Sequence, residues 1–150
     1  MRLSTKAQYA VRAMVSLTLL HEQGKPVSIK DIARKEDLSL NYLEQLFAML
    51  RRNKIVKSVR GPGGGYVLAR SAKDIRVDEI IDSVEETLVP VSCMEKNGEC
   101  GCFEKCVTRN VWQGLGERIR NFLASITLDE LTQEARKKMT NHEKMSVGQK

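Results

Sequence analysis

Apolar residues recur every three or four positions through the first part of the chain, a pattern that predicts amphipathic helices. We expect three of them in this part, at about 4–22, 29–36 and 40–53. Ser28 and Ser39 stand just before the second and third helices, where a serine caps the first free backbone N–H groups. Only residues 37–39 connect the second helix to the third. Two short helices joined by a turn of three or four residues are typical of a helix-turn-helix.

The period of the pattern changes after the third helix. Residues Ile55–Val59 and Tyr66–Ala69 read as two short strands. The segment between them, Arg60–Gly65, holds four glycines in five residues, so the backbone can turn sharply and approach a neighbour closely. A hairpin directly after a helix-turn-helix is a wing. A nucleotide-binding loop is the rival interpretation, but no helix follows and no Gly-Lys-Ser/Thr motif is present.

The second half of the chain returns to helical spacing. After a linker at 71–76, a short helix is predicted at 77–84 and a long one over Phe103–Ile126, whose apolar stripe exceeds what one small domain covers. We expect that stripe to be a dimer seam; packing against the chain's own N-terminal half is the alternative. Thr127–Met139 should form a last short helix. The fold class is therefore mainly α with a small β wing, a winged helix-turn-helix followed by a long dimerisation helix.

This pattern predicts three parts along the chain. A winged helix-turn-helix domain occupies 1–76, a second part with the dimerisation helix occupies 77–139, and a polar tail at 140–150 is expected to be disordered. Charge divides the chain in the same way. Residues 1–76 hold 15 Lys and Arg against 6 Asp and Glu, a balance of +9, while residues 77–150 hold 10 against 13, a balance of −3. A basic first half indicates that it faces a polyanion.

The third helix and the wing carry the residues that we predict to contact double-stranded DNA. Cations at the helix end and along the wing suit phosphates, and amides on the outer helix face suit adenine edges. Glu44 either accepts a hydrogen bond from cytosine or is a solvated helix residue, and Arg60 is the side chain expected to enter the minor groove. The predicted contacts are Ser39, Asn41, Tyr42, Glu44, Gln45, Arg51, Arg52, Lys57, Arg60, Gly61 and Gly63.

All four cysteines fall in one short polar stretch: Cys93, Cys100, Cys102 and Cys106. Several thiolates so close together suit zinc or an iron–sulfur cluster. A local disulfide loop and free reactive thiols are the alternatives. No cleavable signal and no bilayer-spanning stretch is evident, so we expect a cytoplasmic protein, where clustered thiols bind metal more often than they pair. With two histidines and no evident paired carboxylates or nucleophile elbow, an enzyme is not expected.

Three segments resemble the IscR-like family of iron–sulfur cluster winged-helix transcriptional regulators. They are Met1–Val11, Tyr42–Phe47 and Ser58–Tyr66, and the similarity extends to about Leu131. The resemblance implies a homodimer through Phe103–Ile126, a [2Fe–2S] cluster, DNA contacts by Asn41, Glu44, Gln45 and Arg60, and control of cluster biogenesis genes. Relatives that sense nitric oxide or redox state, and relatives without the cysteines that regulate sulfur metabolism, provide alternatives.

The resemblance also implies the cluster ligands. The family pattern is three cysteines followed by a histidine three positions after the last, and Cys93, Cys100 and Cys106 match the thiolates. Arg109 occupies the histidine position, and a guanidinium cannot ligate iron. Cys102 is the favoured fourth ligand, although one intervening residue makes sharing an iron with Cys100 awkward. The other candidates for the fourth ligand are Glu99, Glu104, His21 and water. Some relatives use a carboxylate from the first helix of the partner subunit, but residues 1–21 contain no Asp or Glu.

Two further functions are compatible with clustered cysteines. A small iron–sulfur electron-transfer protein would have no sequence-specific affinity for DNA, which leaves the basic wing unexplained. A structural domain held together by zinc would be colourless.

In the regulator, we expect cluster occupancy to order the cysteine loop and the start of the dimer helix, and so to change which DNA sequences are bound.

Overall fold

The protein is described by a computed structural model that covers residues 2–21, 24–84, 87–95, 98, 100–102 and 104–148. Within these ranges the chain forms a mainly α fold with one small antiparallel sheet, which confirms the predicted fold class. The elements in order are α1 (Thr5–Leu20), α2 (Ile29–Glu36), α3 (Leu40–Arg52), β1 (Val56–Val59), β2 (Gly65–Leu68), α4 (Val77–Ser83), α5 (Arg109–Ala124) and α6 (Leu128–Val147).

The first three helices begin at serine caps, as predicted for the second and third. The side-chain oxygens of Ser4, Ser28 and Ser39 accept hydrogen bonds from the backbone N–H groups of the first turns. Helix α2 ends at Asp37, whose left-handed φ of 53° turns the chain into α3. The predicted end of the first helix, Glu22, lies outside the described residues.

The apolar stripe of α3 forms the centre of the core. Its members are buried against α2, α4 and β1: Leu43, Leu46, Phe47 and Leu50. These positions follow the i, i+3, i+4, i+7 spacing of one helix face, so the opposite face is left to solvent. The core therefore fixes which side of α3 is presented outward.

The wing is a two-stranded hairpin with an additional bridge. Strand β1 pairs with β2 in the register Val56 to Leu68 through Val59 to Gly65. Val27, between α1 and α2, also exchanges two backbone hydrogen bonds with Tyr66, at 2.8 and 2.9 Å, which was not predicted. A Cβ on Gly65 would lie 2.1 Å from the carbonyl oxygen of Val27, so this position requires glycine.

The segment predicted to be a linker is instead part of the core. Ile75 is fully buried, and its carbonyl accepts a hydrogen bond of 2.8 Å from the N–H of Leu128. The N–H of Val77 donates to the carbonyl of Ile126 at 3.0 Å. The linker prediction was wrong because apolar Ile75 breaks its polar pattern. The core is thus continuous across residue 76. The predicted boundary between 1–76 and 77–139 therefore separates two proposed functions and does not separate two hydrophobic cores.

The C-terminal helices differ from the prediction at their ends. Helix α5 begins at Arg109, after turns at 104–108; Phe103, the predicted start, lies outside the described residues. Helix α6 runs to Val147, so the prediction of a disordered tail from residue 140 was wrong for 140–147. Glu143, Lys144 and Met145 have high helix propensity, and no Gly or Pro interrupts the segment before Gly148, so the helix continues without an apolar face. None of the described helices is both long and apolar enough to span a bilayer.

Candidate nucleic-acid interface and cysteine pocket

The outward face of α3 presents three polar side chains in one stripe. Asn41, Glu44 and Gln45 are all exposed, and their i, i+3, i+4 spacing places them on the same side of the helix. The opposite face of α3 is packed into the core by its buried apolar stripe, so the position of these three side chains is fixed by a rigid helix. Amide and carboxylate groups in such a position are able to hydrogen-bond base edges in a major groove.

Two residues predicted to contact DNA also have structural partners. The hydroxyl of Ser39 accepts a hydrogen bond of 3.2 Å from the N–H of Tyr42, as the cap of α3. The ring of Tyr42 is half-buried and meets the ring of Tyr9 edge to face, with centroids 6.0 Å apart. Burial raises the pKa of the Tyr42 hydroxyl further above neutrality, and the protonated group can donate a hydrogen bond.

A groove rich in positive charge connects the end of α3 to the wing. It is lined by Arg51, Lys54 and Lys57, together with Val56, Ser58 and Ala69. A guanidinium nitrogen of Arg51 lies 3.5 Å from the hydroxyl of Ser58, which joins the helix end to β1. Arg52 is exposed beside it. Cations placed along one concave surface are the arrangement that duplex phosphates bind.

The wing tip projects into solvent. Arg60 is exposed, and Gly61 and Gly63 have φ values of 98° and 73°, in the region that favours glycine. The turn is closed by a hydrogen bond of 2.9 Å from the N–H of Gly64 to the carbonyl of Gly61. A Cβ at Gly61 or Gly63 would meet no protein atom within 4 Å, so these backbones are open to an approaching phosphate chain.

The second site lies where the cysteine stretch meets the start of α5. Three of the four cysteines, Cys93, Cys100 and Cys106, line one pocket. The remaining lining comes from Met94, Arg109 and Trp112. The sequence predicted the same three cysteines as ligands, and the structure brings them together. The structure also places Arg109 in the pocket wall, although its guanidinium cannot act as a ligand.

The loop that carries Cys93 is folded back on itself at Gly98. Residues Ser92–Met94 form a single turn, and the N–H of Gly98 donates to the carbonyl of Glu95 at 2.9 Å. A Cβ on Gly98 would lie 2.4 Å from the carbonyl oxygen of Ser92 and 2.9 Å from the Cα of Cys93. Gly98 therefore permits a close approach of backbone that sets the position of Cys93.

The thiols differ in their chemistry. Cys106 lies 3.4 Å from the hydroxyl of Thr108, and this hydrogen bond lowers the pKa of the Cys106 thiol, with backbone N–H groups and Arg109 acting in the same direction. The sulfur of Cys102 lies 3.7 Å from that of Cys100, and the hydrogen bond between them raises the pKa of Cys102. Cys102 is exposed and lies outside the pocket lining.

The donor set fits an iron–sulfur cluster. Thiolates are the usual protein ligands of such clusters, and three of them surround one pocket. Among the residues that the structure describes, no three His, Cys, Asp or Glu side chains are arranged to hold a single metal ion. A two-iron cluster divides its protein ligands between two irons, so its thiolates surround the group instead of converging on one ion.

Sequence reasoning missed three residues of this site. Trp112 lies in the pocket wall, Thr108 contacts the Cys106 sulfur, and Gly98 allows the loop to close. A signal for Trp112 was available, since it follows Arg109 by three positions on the same helix face. Thr108 and Gly98 act through short contacts, which residue spacing does not reveal.

Comparison with known proteins places the chain among regulators. The sequence profile of the Rrf2 family, described as "Iron-dependent Transcriptional regulator", matches residues 3–134. The HTH-type transcriptional regulator IscR of Pectobacterium carotovorum subsp. carotovorum is 47% identical over 131 residues, which cover 87% of this chain and 79% of that protein. The protein of the same name from Klebsiella pneumoniae (strain 342) is 48% identical over the same shares of both chains.

Solved structures agree with the sequence relatives. T. potens IscR has a TM-score of 0.71 at 40% identity, covering 90% of this chain and 88% of that one. CymR (YrzC), the global cysteine regulator of B. subtilis, has a TM-score of 0.72 at 33% identity, covering 89% and 98%. The curated relatives are named as transcriptional regulators, which agrees with the expectation of a protein that is not an enzyme. This chain belongs to the Rrf2 family of DNA-binding transcriptional regulators.

Proposed function

We propose that this chain is a cytoplasmic, homodimeric regulator that holds a [2Fe–2S] cluster on Cys93, Cys100 and Cys106. It binds operator DNA through α3 and the wing, and it controls iron–sulfur cluster biogenesis genes according to cluster occupancy. The observation that carries the proposal is the convergence of the three cysteines on one pocket at the start of α5. The relatives named IscR support the choice of target genes.

The DNA interface is supported by two surfaces, one on α3 and one between the end of α3 and β1. The stripe of Asn41, Glu44 and Gln45 offers groups that read bases, and the groove of Arg51, Lys54 and Lys57 offers charge to phosphates. In a winged helix, the third helix enters the major groove while the wing lies over the adjacent backbone. The cations would set the affinity, and the stripe on α3 would set the sequence preference.

Dimerisation through α5 is supported by its exposed apolar side chains. Val111 is 59% exposed, Leu115 39% and Phe122 64%, and no residue of α5 is buried. These positions share one helix face at spacings of four and seven. A large apolar stripe that the chain's own core leaves uncovered is typical of a subunit interface. A second copy of α5 would cover it.

The cluster, when bound, supplies metal–thiolate bonds that join the two ends of the cysteine loop. Cys93 then holds the loop at its start, and Cys106 holds it three residues before α5 begins. Arg109 and Trp112 shield the pocket from the side of the helix. The residues of the loop would thus fix the position of the first turn of α5.

A chain of contacts leads from α5 to the recognition helix. A guanidinium nitrogen of Arg120 in α5 lies 3.2 Å from the carboxylate of Asp82 in α4. The next residue, Ser83, accepts a hydrogen bond of 3.2 Å at its carbonyl from the side chain of Asn53, the cap of α3. Helix α4 is therefore able to transmit a shift of α5 to α3, and a displacement of α3 would alter operator preference.

Anaerobic reconstitution followed by DNA binding tests the proposal. Protein with and without iron and sulfide should be compared by fluorescence anisotropy at one salt concentration, on promoter fragments of iron–sulfur biogenesis genes. We expect a coloured protein with about two irons per chain. Its affinity for at least one fragment should differ from that of the apoprotein by about tenfold, equal to about 1.4 kcal/mol of coupling.

Two variants separate the two sites. Cys106→Ala should lose the iron, whereas Gln45→Ala should keep the iron and lose sequence preference on DNA. A colourless, iron-free protein after reconstitution would contradict the cluster. Equal affinities of the two forms for every operator would contradict switching, and the DNA-binding assignment would stand.

A further inference from the structure

We propose that Cys102 is the fourth cluster ligand and binds the same iron as Cys100, while Arg109 in the pocket wall compensates the added negative charge. This inference rests on the cluster of the proposed function and specifies its fourth ligand. It makes the site an all-cysteine one, in contrast to the three cysteines and one histidine that the family resemblance implies. The geometry of the Cys100–Gly101–Cys102 segment carries the argument.

The distance between the two sulfur atoms matches that of two thiolates on one metal. Thiolates bound about 2.3 Å from a tetrahedral metal lie about 3.8 Å apart. The sulfurs of Cys100 and Cys102 are 3.7 Å apart. Gly101 and Cys102 lie in a turn, which folds the chain so that a single intervening residue does not prevent this approach. The expected difficulty of sharing one iron is therefore absent from the folded segment.

Gly101, between the two cysteines, is unconstrained by its surroundings. A Cβ at this position would meet no atom within 4 Å, in contrast to the tightly packed Gly98. The segment is thus exposed, and Cys102 reaches Cys100 from the solvent side of the pocket. Cys93 and Cys106, which line the same pocket as Cys100, would bind the second iron. This division uses every cysteine of the chain.

Other candidate ligands are placed less favourably. The Nδ1 atom of His21 lies 2.7 Å from the carbonyl oxygen of Lys25, and His21 does not line the pocket. Glu104 is exposed and is also absent from the lining. Glu99 lies outside the described residues. Cys102 combines a soft donor with direct contact to a residue of the pocket.

Arg109 is explained by the same arrangement. A thiolate in place of a neutral imidazole adds one negative charge to the site. The guanidinium of Arg109, at the position where the family has its histidine, adds one positive charge beside the same pocket. The total charge of the site is thereby maintained. Arg109 in place of histidine and Cys102 as a fourth cysteine therefore belong together, because the charge of one offsets the charge of the other.

The test compares four forms of the full chain after anaerobic reconstitution: wild type, Cys102→Ala, the double variant Cys102→Ala with Arg109→His, and Lys105→Ala. Lys105 is exposed in the same loop and serves as the matched control. The measurements are iron and sulfide content, the EPR spectrum of the dithionite-reduced protein with its nitrogen couplings, and the reduction potential as a function of pH.

We expect the wild type and Lys105→Ala to bind the same amount of iron and to show no coupling from a coordinated imidazole nitrogen. Their reduction potential should not depend on pH near neutrality. Cys102→Ala should lose at least half of the iron. The double variant should recover it, with a strong nitrogen coupling and a higher potential that depends on pH, because histidine ligands raise the potential of a two-iron cluster.

Two results would overturn the inference while leaving the proposed function intact. One is a Cys102→Ala protein whose iron content, EPR spectrum and potential equal those of the wild type. The other is an imidazole nitrogen coupling in the wild type itself, which needs no variant and so does not depend on correct folding of one. A wild type that takes up no iron would instead contradict the proposed function.

Discussion

The winged helix and the cysteine stretch with α5 differ in how far the chain covers its own apolar surface. From Val27 to Val84, apolar side chains of every helix and of β1 enter the core. Among the described residues from Val89 to Thr127, none is buried. The first region buries most of its apolar side chains in a core that it shares with α1 and the start of α6, and this burial supplies its stability. The second region exposes thiol groups, which are available to bind a metal cluster, and apolar side chains, which a partner surface is able to cover.

This difference assigns separate tasks to the two regions. A rigid support holds side chains at fixed positions for reading DNA, and the α3 stripe stands on such a support. A region with little buried surface changes conformation at low cost, which suits a part that responds to a bound group. The ion pair of Arg120 in α5 with Asp82 in α4, 3.2 Å apart, ties the responsive region to the rigid one.

The largest expected effect separates the two regions by stability. Leu46 is 1% exposed and Leu115 is 39% exposed, so the same truncation to alanine should have different costs. Leu46→Ala should lower the free energy of unfolding by about 2–5 kcal/mol at any protein concentration. Leu115→Ala should cost less than about 1 kcal/mol in dilute solution and more as the concentration rises, because its loss acts through the dimer.

Urea unfolding at two protein concentrations measures both variants, with far-UV circular dichroism as the signal. An equal and concentration-independent loss for the two leucines would show that α5 belongs to the same core as α3. The comparison between the regions would then be wrong.

The second prediction concerns the apolar face of α5. Phe122→Glu places a charge in the proposed seam, where Phe122 is 64% exposed in the single chain. We expect the dimer to weaken by about 2 kcal/mol or more, since aromatic residues often dominate interfaces. Asn121→Asp, an exposed polar position of the same helix away from the seam, is the control of equal charge and should have little effect. Sedimentation equilibrium measures both, and an unchanged dimer in Phe122→Glu would exclude the face as the interface.

The two regions also differ in how much of their structure the sequence pattern predicts. In the winged helix, spacing and serine caps predicted the helices, because each helix there has one buried face and a local start signal. What spacing did not reveal was the pairing of Val27 with Tyr66 and the burial of Ile75, which depend on contacts between distant segments. Sequence patterns carry little information on such contacts.

In the second region the composition was informative and the local structure was not. Soft donors in one stretch predicted a metal or cluster site, and Cys93, Cys100 and Cys106 do line one pocket. The start of α5 and the length of α6 were mispredicted, because neither has a buried stripe to mark its ends. The roles of Thr108 and Gly98 arise from distances of a few ångströms, which require the folded loop.

The third prediction compares two glycines of the cysteine loop. Gly98→Ala forces a Cβ to within 2.4 Å of the Ser92 carbonyl oxygen, whereas Gly101→Ala meets no atom within 4 Å. The first change should displace Cys93 and cost about 1–3 kcal/mol of local packing. We therefore expect reduced iron uptake in Gly98→Ala and normal uptake in Gly101→Ala, measured by iron content after reconstitution. Equal uptake by the two variants would show that the closed loop is not needed for cluster binding.

The fourth prediction tests the wing as a contact for the DNA backbone. Arg60→Ala removes an exposed cation from the wing tip, and Lys137→Ala removes one from α6, so that the net charge changes equally. The slope of log affinity against log salt concentration should become shallower by about two for Arg60→Ala, one for each subunit of the proposed dimer, and stay constant for Lys137→Ala. Fluorescence anisotropy between low and moderate salt gives both slopes. Identical slopes for the two variants would place the wing tip away from the phosphates.

The smallest expected effect is a difference in thiol reactivity within the apoprotein. The hydrogen bond from Thr108 lowers the pKa of Cys106, and the hydrogen bond with Cys100 raises the pKa of Cys102. A lowered pKa leaves more thiolate at neutral pH, and the thiolate is the form that iodoacetamide alkylates. Cys106 should therefore react faster than Cys102 near pH 7, and the rates should converge as the pH rises above both pKa values.

Thr108→Val keeps the shape of the side chain and removes the hydroxyl, so it should slow the alkylation of Cys106 at neutral pH and leave that of Cys102 unchanged. In a tryptic digest Lys105 separates Cys106 from Cys102, and fragmentation of the peptide 97–105 by tandem mass spectrometry distinguishes Cys102 from Cys100. Cys102 in the same digest provides the internal control. A Cys106 rate that does not respond to Thr108→Val would mean that the hydroxyl does not tune this thiol. The lowered pKa would then come from the backbone N–H groups and Arg109 at the start of α5, so that the helix itself, rather than the loop, prepares Cys106 to bind metal.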